Sequence, residues 1–258
     1  MQSLKSPSNT SLLNLYRVKN HTNKSLLGIL VLLVVGLVLI PIFYLVTRAS
    51  QKSLTQIQEL LFRPKTFEVV ATTSLLVLLV VLLTAFFGVL IAAGLHFVNL
   101  PYFAALIIVA VLPLAIPSYV FTYTWIALVP EFSGFMPAVF ILFLTTLPYV
   151  ILATLAGLRR VDGSQIEVAR SFGLNHLQIF FKVILPQIRG HISGGVLLVG
   201  LYTMSDFGAV SLLNVDTLTV TIQNMYRASY DRNAAAVISL VLVALSALFV
   251  IGDERFKS

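Results

Sequence analysis

The sequence predicts an all-α membrane protein with six transmembrane helices. Two observations carry that expectation. Only 10% of the 258 residues are charged, where a soluble domain carries about 25%. The apolar residues are gathered into long runs, and a run of about 20 residues crosses about 30 Å of hydrocarbon as a helix. Mean hydropathy is +0.97. Lipid offers the backbone no hydrogen bonds, so a chain of this kind must pair its N–H and C=O groups within helices or in a closed barrel. The short alternating segments of a barrel do not occur here.

The expected spans are 26–47, 69–95, 102–129, 135–158, 192–213 and 234–251. They make one six-span domain over 26–251, after a polar N-terminal segment (1–25) and before a short tail (252–258). No A-x-A site closely follows the first run, so it reads as a retained helix rather than a cleaved signal. Six crossings put both termini on one side. Lys5, Arg17, Lys19, Lys24, Arg159, Arg160, Arg170, Lys182, Arg189, Arg255 and Lys257 fall on that side, against Arg48, Lys52, Arg63, Lys65, Arg227 and Arg232 on the other. The side richer in Lys and Arg is cytoplasmic. The net charge of +7 therefore points to an anionic leaflet as partner rather than to nucleic acid.

The loop after the first span contains SLTQIQELLFRP. Ser53 and Gln56 fit a capping box; Leu54, Ile57 and Leu61 share a helical face, and Pro64 stops the helix. This predicts a short helix at the outer surface. The third span holds Pro113 and Pro117 one turn apart. Each lacks a donor and crowds the carbonyl four residues back. A helix so broken persists in a membrane only where protein or a water-filled cavity covers it. This span is expected to face the bundle interior, with Ser118, Tyr119, Thr122, Tyr123 and Thr124 adding hydroxyls; a proline kink packed on its neighbours is the alternative. Pro148 in the fourth span reads as a simple kink.

Between spans four and five lies IEVARSFGLNHLQIFFKVILP (166–186), within a polar loop over 159–191. Ser164 and Glu167 fit a capping box. Gly173 fits the left-handed position after a helix end, and Asn175 can cap a second helix. Two short helices joined at Gly173 and Leu174 result. Phe172, Leu174, Ile179 and Phe180 are expected to be held out in the cytoplasm as a docking surface.

Glu167, Ala169, Gly173, Leu185 and Pro186 carry a resemblance. Their spacing is similar to the E-A-A, three residues, G, nine residues, I-x-L-P loop of ABC importer permeases. Val168 stands for the first alanine and Val183 for the isoleucine. LPLAIPSYVFTYTW (112–125), SDFGAVSLLNVDTLTVTI (205–222) and YDRNAAAVISLVLV (230–243) resemble the ferric-iron branch; phosphonate, thiamine, sulfate and polyamine permeases share much of the pattern. The resemblance implies a type I importer permease fold. It implies that Glu167, Ala169, Phe172, Gly173, Leu174, Leu185 and Pro186 form coupling helices that dock on a separate ATP-binding cassette subunit. It also implies a periplasmic substrate-binding protein as donor and a second six-span half as partner. Iron permeases of this type usually hold two halves in one chain. This sequence has one such loop, so it is expected to be a half-unit or a piece of a longer protein.

The chemistry of the remaining residues fits a transport subunit rather than an enzyme. No Gly-Lys dipeptide exists, so no P-loop can form and ATP is expected to be hydrolysed elsewhere. His-Glu-x-x-His and Gly-x-Ser-x-Gly are absent. His21, His96, His176 and His191 are scattered and cysteine is missing, so no metal centre, cofactor site or catalytic residue is called for. Asp206 is the single charged residue inside any expected span, and an intramembrane acid is costly. It either lines the translocation route, with Ser205, Pro113, Pro117 and Tyr119 as companion candidates, or makes a structural hydrogen bond to a neighbouring helix. Gly208 and Ser211 are expected to share a face of that same span. A proton-coupled secondary transporter is the competing class, and one aspartate is a meagre set of titratable groups for it.

Overall fold

The computed structural model of the protein describes residues 22–98, 102–227 and 231–257. Most of the polar N-terminal segment lies outside the described residues. All regular structure among them is helical. In chain order the helices are α1 (Thr22–Ala49), α2 (Leu54–Leu61), α3 (Pro64–Phe97), α4 (Phe103–Val111), α5 (Ser118–Leu128) and α6 (Phe135–Leu158). There follow α7 (Gly163–Ser171), α8 (His176–Ile179), α9 (Leu185–Ser205), α10 (Gly208–Leu212), α11 (Leu218–Arg227) and α12 (Arg232–Lys257). Five helical stretches are long and apolar enough to span a membrane; α4 and α5, bent by 97° at their break, make a sixth if counted together.

α2 forms where expected. Ser53 accepts from the Gln56 N–H, and the Gln56 side chain returns a bond to the Ser53 N–H. Pro64 does more than stop it. It occupies the first turn of α3, where a missing N–H leaves nothing unpaired. Leu54 is exposed, while Leu60 is buried with Ile57 and Leu61 packed beside it. The inward face of α2 therefore centres on Leu60.

The third span is broken outright rather than kinked. A tight 3₁₀ turn over Leu112–Ala115 follows α4, and Pro117 is extended (φ −55°, ψ 140°) before α5 begins. Pro148 lies within an unbroken α6. The fifth span differs from the expected 192–213 at both ends. The helix that starts at His176 runs through a wide π-type segment, Phe180–Ile184, directly into α9 and ends at Ser205. The Leu185 N–H bonds the Phe180 carbonyl five residues back. That wider turn makes room for Pro186, which has no N–H to pair and would crowd a regular turn. Asp206 ends the span, so Gly208 and Ser211 belong to the separate short helix α10. The sixth helix begins at Arg232 and remains helical past 251, through most of the expected tail.

α3, α6 and α9 form the centre. Leu76, Val80, Ile141, Leu142, Val150 and Val199 are buried there, and Ala209, Val210 and Leu213 close one end. Helices in lipid gain little from hydrophobic burial against each other and associate through close packing. Small residues provide it. A Cβ on Gly88 would sit 2.8 Å from Val150 Cβ, and one on Gly195 would sit 2.9 Å from Ala153 Cβ and 3.1 Å from the Tyr149 carbonyl. Several buried threonines satisfy their hydroxyls on their own helix, as Thr84 does on Val80 (2.8 Å) and Thr146 on Leu142 (2.6 Å). α12 lies outside this trio and α1 outside α12. Along α1, Leu32 is 73% and Phe43 70% exposed, which suits contact with acyl chains.

Gly195→Val should force α6 and α9 apart and destabilise the protein by about 2 kcal/mol. Gly194→Ala has nothing within 4 Å and should be tolerated. Thermal unfolding in one detergent, by fluorescence-detected chromatography, compares the two. Equal melting would contradict close packing at Gly195.

Candidate functional site

Two features concentrate polar chemistry in an apolar chain. One is the loop between α6 and α9. Its first helix is capped by Asp162, whose carboxylate accepts from the Ser164 N–H (3.0 Å) and the Ser164 hydroxyl (2.8 Å). The Ser164 backbone bond, then its hydroxyl, hold the Asp162 carboxyl below the usual carboxylate range. The expected Ser164–Glu167 box therefore does not form. Asp162 takes the cap two residues earlier, because a carboxylate there reaches a free N–H of the first turn. Glu167 stands exposed.

The turn after α7 forms as expected. Gly173 has φ +77°. Its N–H donates to the Arg170 carbonyl (2.9 Å), and the Leu174 N–H donates to the Ala169 carbonyl (3.3 Å). This is the Schellman pattern, and it needs a residue without a Cβ penalty at the left-handed position. Asn175 opens α8 with a reciprocal box: it accepts from the Gln178 N–H (2.8 Å), and its own N–H donates to Gln178 Oε1 (3.0 Å). Gln187 at the start of α9 donates to Gln165 Oε1 (3.0 Å), fastening α7 to the span.

The loop has a small core of its own. Leu158, Ala169, Ile179, Ile184 and Ile188 are buried, with Leu174, Phe180, Val183 and Leu185 packed against them. Of the expected docking residues, Leu174, Ile179 and Phe180 thus point into this core. Phe172 stays out at 80% exposure, joined by Val168, Leu177 and Phe181. The sequence carried a signal for those three: Val168 and Phe172, and Leu177 and Phe181, are each four apart on a helix. Ala169, Gly173, Leu174, Leu185 and Pro186 shape the loop; Glu167 and Phe172 are presented by it.

The second feature is Asp206. It is buried although its neighbours Ser205 and Phe207 are exposed. Ser118, the first residue of α5 and also buried, donates its hydroxyl to Asp206 Oδ2. Asp206 Oδ1 accepts from the Ala209 N–H (2.9 Å) at the start of α10, and the Asp206 carbonyl accepts from the Thr219 hydroxyl (2.8 Å) of α11. One residue therefore ties the end of α9 to α5, α10 and α11. The approach is close: a Cβ on Gly208 would lie 3.0 Å from Tyr119 Cβ and 3.4 Å from Ser118 Oγ. Among the candidates for lining a route, Ser205, Pro117 and Tyr119 are exposed, Pro113 is half-buried and Asp206 is covered. Ser205 turns its hydroxyl back to the Tyr202 carbonyl (3.0 Å).

Six apolar passes, one of them broken by prolines, with a self-contained helical loop before the fifth, define a multi-pass membrane permease fold. The chain belongs to the family described as binding-protein-dependent transport system inner membrane component, whose model matches residues 66–257. It is similar to the Fe(3+)-transport system permease protein FbpB 2 of Haemophilus influenzae, 34% identical over 229 residues, which cover 88% of this chain and 45% of that protein. It therefore spans about half the length of that relative. It is also similar to the chloroplastic sulfate permease 2 of Chlamydomonas reinhardtii, 28% identical over 253 residues, covering 89% of this chain and 68% of that one. In fold it matches a chain of a bacterial alginate ABC transporter solved in complex with an alginate pentasaccharide-bound periplasmic protein. That match has a TM-score of 0.75 at 15% identity and covers 93% of this chain and 98% of the other.

Asp206→Asn keeps an oxygen for the Ala209 N–H and turns an amide donor to Ser118 Oγ, which can accept in place of donating, and should melt within about 1 kcal/mol of the parent protein. Asp206→Leu strands the Ser118 hydroxyl and the Ala209 N–H and should cost about 3 kcal/mol. Thermal unfolding of both variants in detergent makes the comparison. An Asp206→Leu protein as stable as the parent would show that these bonds hold nothing together.

Proposed function

We propose that this chain is a membrane-spanning permease part of an ATP-driven importer, and that its substrate is ferric iron. One observation carries the importer reading. The 159–191 loop is a folded unit that spends its glycine turn and both helix caps on holding Val168, Phe172, Leu177 and Phe181 out of its own core. Apolar groups presented by a rigid polar loop call for a protein partner. An ATP-hydrolysing subunit is that partner, since this sequence has no P-loop. The docking loop lies on the cytoplasmic side, with both termini, in a bacterial inner membrane. A periplasmic binding protein delivers substrate to the opposite face.

A second permease half completes the route. The break at 112–117 leaves backbone groups without helical partners, and in a membrane they require cover from protein or from a water-filled path. Pro117, Tyr119 and Tyr123 are exposed on that side, so the second half meets the chain there. The iron assignment follows the relative with 34% identity. Sulfate is the second reading, favoured by the sulfate permease, of which this chain covers 68%. Uptake of radiolabelled iron and of sulfate in cells carrying the permease with its neighbouring transport subunits separates them.

Phe172 is 80% exposed, so the isolated chain loses almost nothing when it is truncated. Phe172→Ser should leave membrane insertion and melting unchanged, yet lower uptake at least about tenfold, the scale of one buried aromatic anchor. Gly173→Pro should uncouple ATP hydrolysis from transport, because proline cannot adopt φ +77° or supply the N–H that bonds Arg170. Wild-type uptake in both variants would sink the docking model.

A further inference from the structure

Six basic residues lie on the side opposite the docking loop, and the importer reading leaves them without a task. The structure divides them, with Arg227 exposed at the end of α11. Lys65 bonds Asp216 (2.6 Å) and reaches Glu68 (3.5 Å). Lys52 bonds Asp231 (2.9 Å), whose carboxylate also accepts the Ala234 N–H (2.9 Å). Arg63 lines a cleft with Lys52, Gln56 and Glu59. Arg48 and Arg232 have no acid partner among the described residues. Arg48 ends α1 and Arg232 begins α12, so both guanidiniums sit where a membrane-crossing helix meets its boundary.

Two phenols join them. The hydroxyls of Tyr44 on α1 and Tyr226 on α11 lie 3.3 Å apart. The Arg48 guanidinium lies 5.5 Å over the Tyr44 ring, and the positive fields of Arg48 and Arg232 reach both phenols. Asp231, next to Arg232 in the chain, is already committed to Lys52 and to the Ala234 N–H at the start of α12. The cluster borders the lipid-exposed surface of α1, where Phe43 is 70% exposed.

We propose that Arg48, Arg232, Tyr44 and Tyr226 form a site for the phosphate of an anionic phospholipid headgroup in the leaflet opposite the docking loop. The chemistry is that of an oxyanion. Two guanidiniums supply charge and directed N–H donors. Two hydroxyls that now share one bond with each other can each turn a proton to a phosphate oxygen. Tyrosine is suited to the membrane boundary, with its ring toward acyl chains and its hydroxyl toward headgroups. A zwitterionic headgroup would bring its own ammonium toward the guanidiniums, so anionic lipids are preferred. The proposal rests only on the chain crossing a membrane and is independent of which substrate it carries.

The test is native mass spectrometry of the full chain, purified in mild detergent and titrated with phosphatidylglycerol or phosphatidylcholine. Phosphatidylglycerol adducts should persist on the parent protein. They should weaken about fivefold for each guanidinium removed in Arg48→Gln and Arg232→Gln. Tyr44→Phe with Tyr226→Phe should weaken them further, and Arg63→Gln should not. Melting of each variant in lipid-free detergent checks that the fold survives; Tyr44→Phe with Tyr226→Phe keeps the ring packing and remains informative if an arginine variant misfolds. Equal adducts on the parent and the folded variants, or equal affinity for the two lipids, would overturn the proposal. Inorganic phosphate raising the melting temperature of the parent alone, with no lipid adduct formed, would overturn the headgroup as the source.

Discussion

A chain in lipid cannot leave backbone groups unpaired, yet this one interrupts two of its spans. The carboxylate of Asp206 is where the two interruptions meet. Proline ends α4 and extends Pro117, and no side chain caps the first turn of α5. Asp206 ends α9 and turns the chain into α10. Ser118 donates to Asp206 across 88 residues of sequence, and the Ala209 N–H donates to the other oxygen. Each break is thus adjacent to a polar group that the other supplies. Asp206 caps α10 through the Ala209 N–H and holds the start of α5 through the Ser118 hydroxyl, because a carboxylate can accept from several donors.

The same residue sits at one end of a continuous element. From His176 to Ser205 the backbone remains helical, about 45 Å at 1.5 Å per residue. The apolar residues presented around Gly173 lie at one end and the Asp206 bonds at the other. The π-type segment Phe180–Ile184 is the one place where the hydrogen-bond register of this helix changes. It is braced by Ile184 and Ile188 in the loop core and by Gln187 on Gln165. The loop core and the Asp206 bonds thus belong to one continuous helix, and Gly88 and Gly195 let α3 and α9 lie close against α6.

Much of this was legible in the sequence, and the limits have physical causes. The spans, the break at Pro113 and Pro117, the turn at Gly173 and the caps at Ser53 and Asn175 depend on residues within a few positions of one another, so local spacing reveals them. The end of α9 does not. Gly208 and Ser211 read as sharing a face of the same span, and the break at Asp206 draws on the distant Ser118 and Thr219 as well as on the local Ala209 N–H. The 159–191 loop departed in a subtler way. Its residues looked too few to bury Leu174, Ile179 and Phe180, but the helix of the fifth span begins well before the expected run and lends Ile184 and Ile188, with Leu158 from the end of α6, to a small core. Asp162 outcompeted Ser164 as a cap, a contest between near neighbours that spacing rules leave open.

The two sides of the protein handle positive charge differently. On the side of the 159–191 loop, Arg159, Arg160, Arg170 and Lys182 are exposed, in keeping with attraction to an anionic leaflet and with the bias that sets orientation. On the other side, Lys52 and Lys65 are neutralised by Asp231 and Asp216, acids from the segment that precedes α12. The pairs also fasten the α2 region to the later half of the chain. Exposed ion pairs contribute little to stability on their own. Lys52 and Lys65 still weigh against the orientation as lysines, because that bias follows the number of Lys and Arg residues rather than net charge. What the pairs change is how the two halves of the chain are held together on that side.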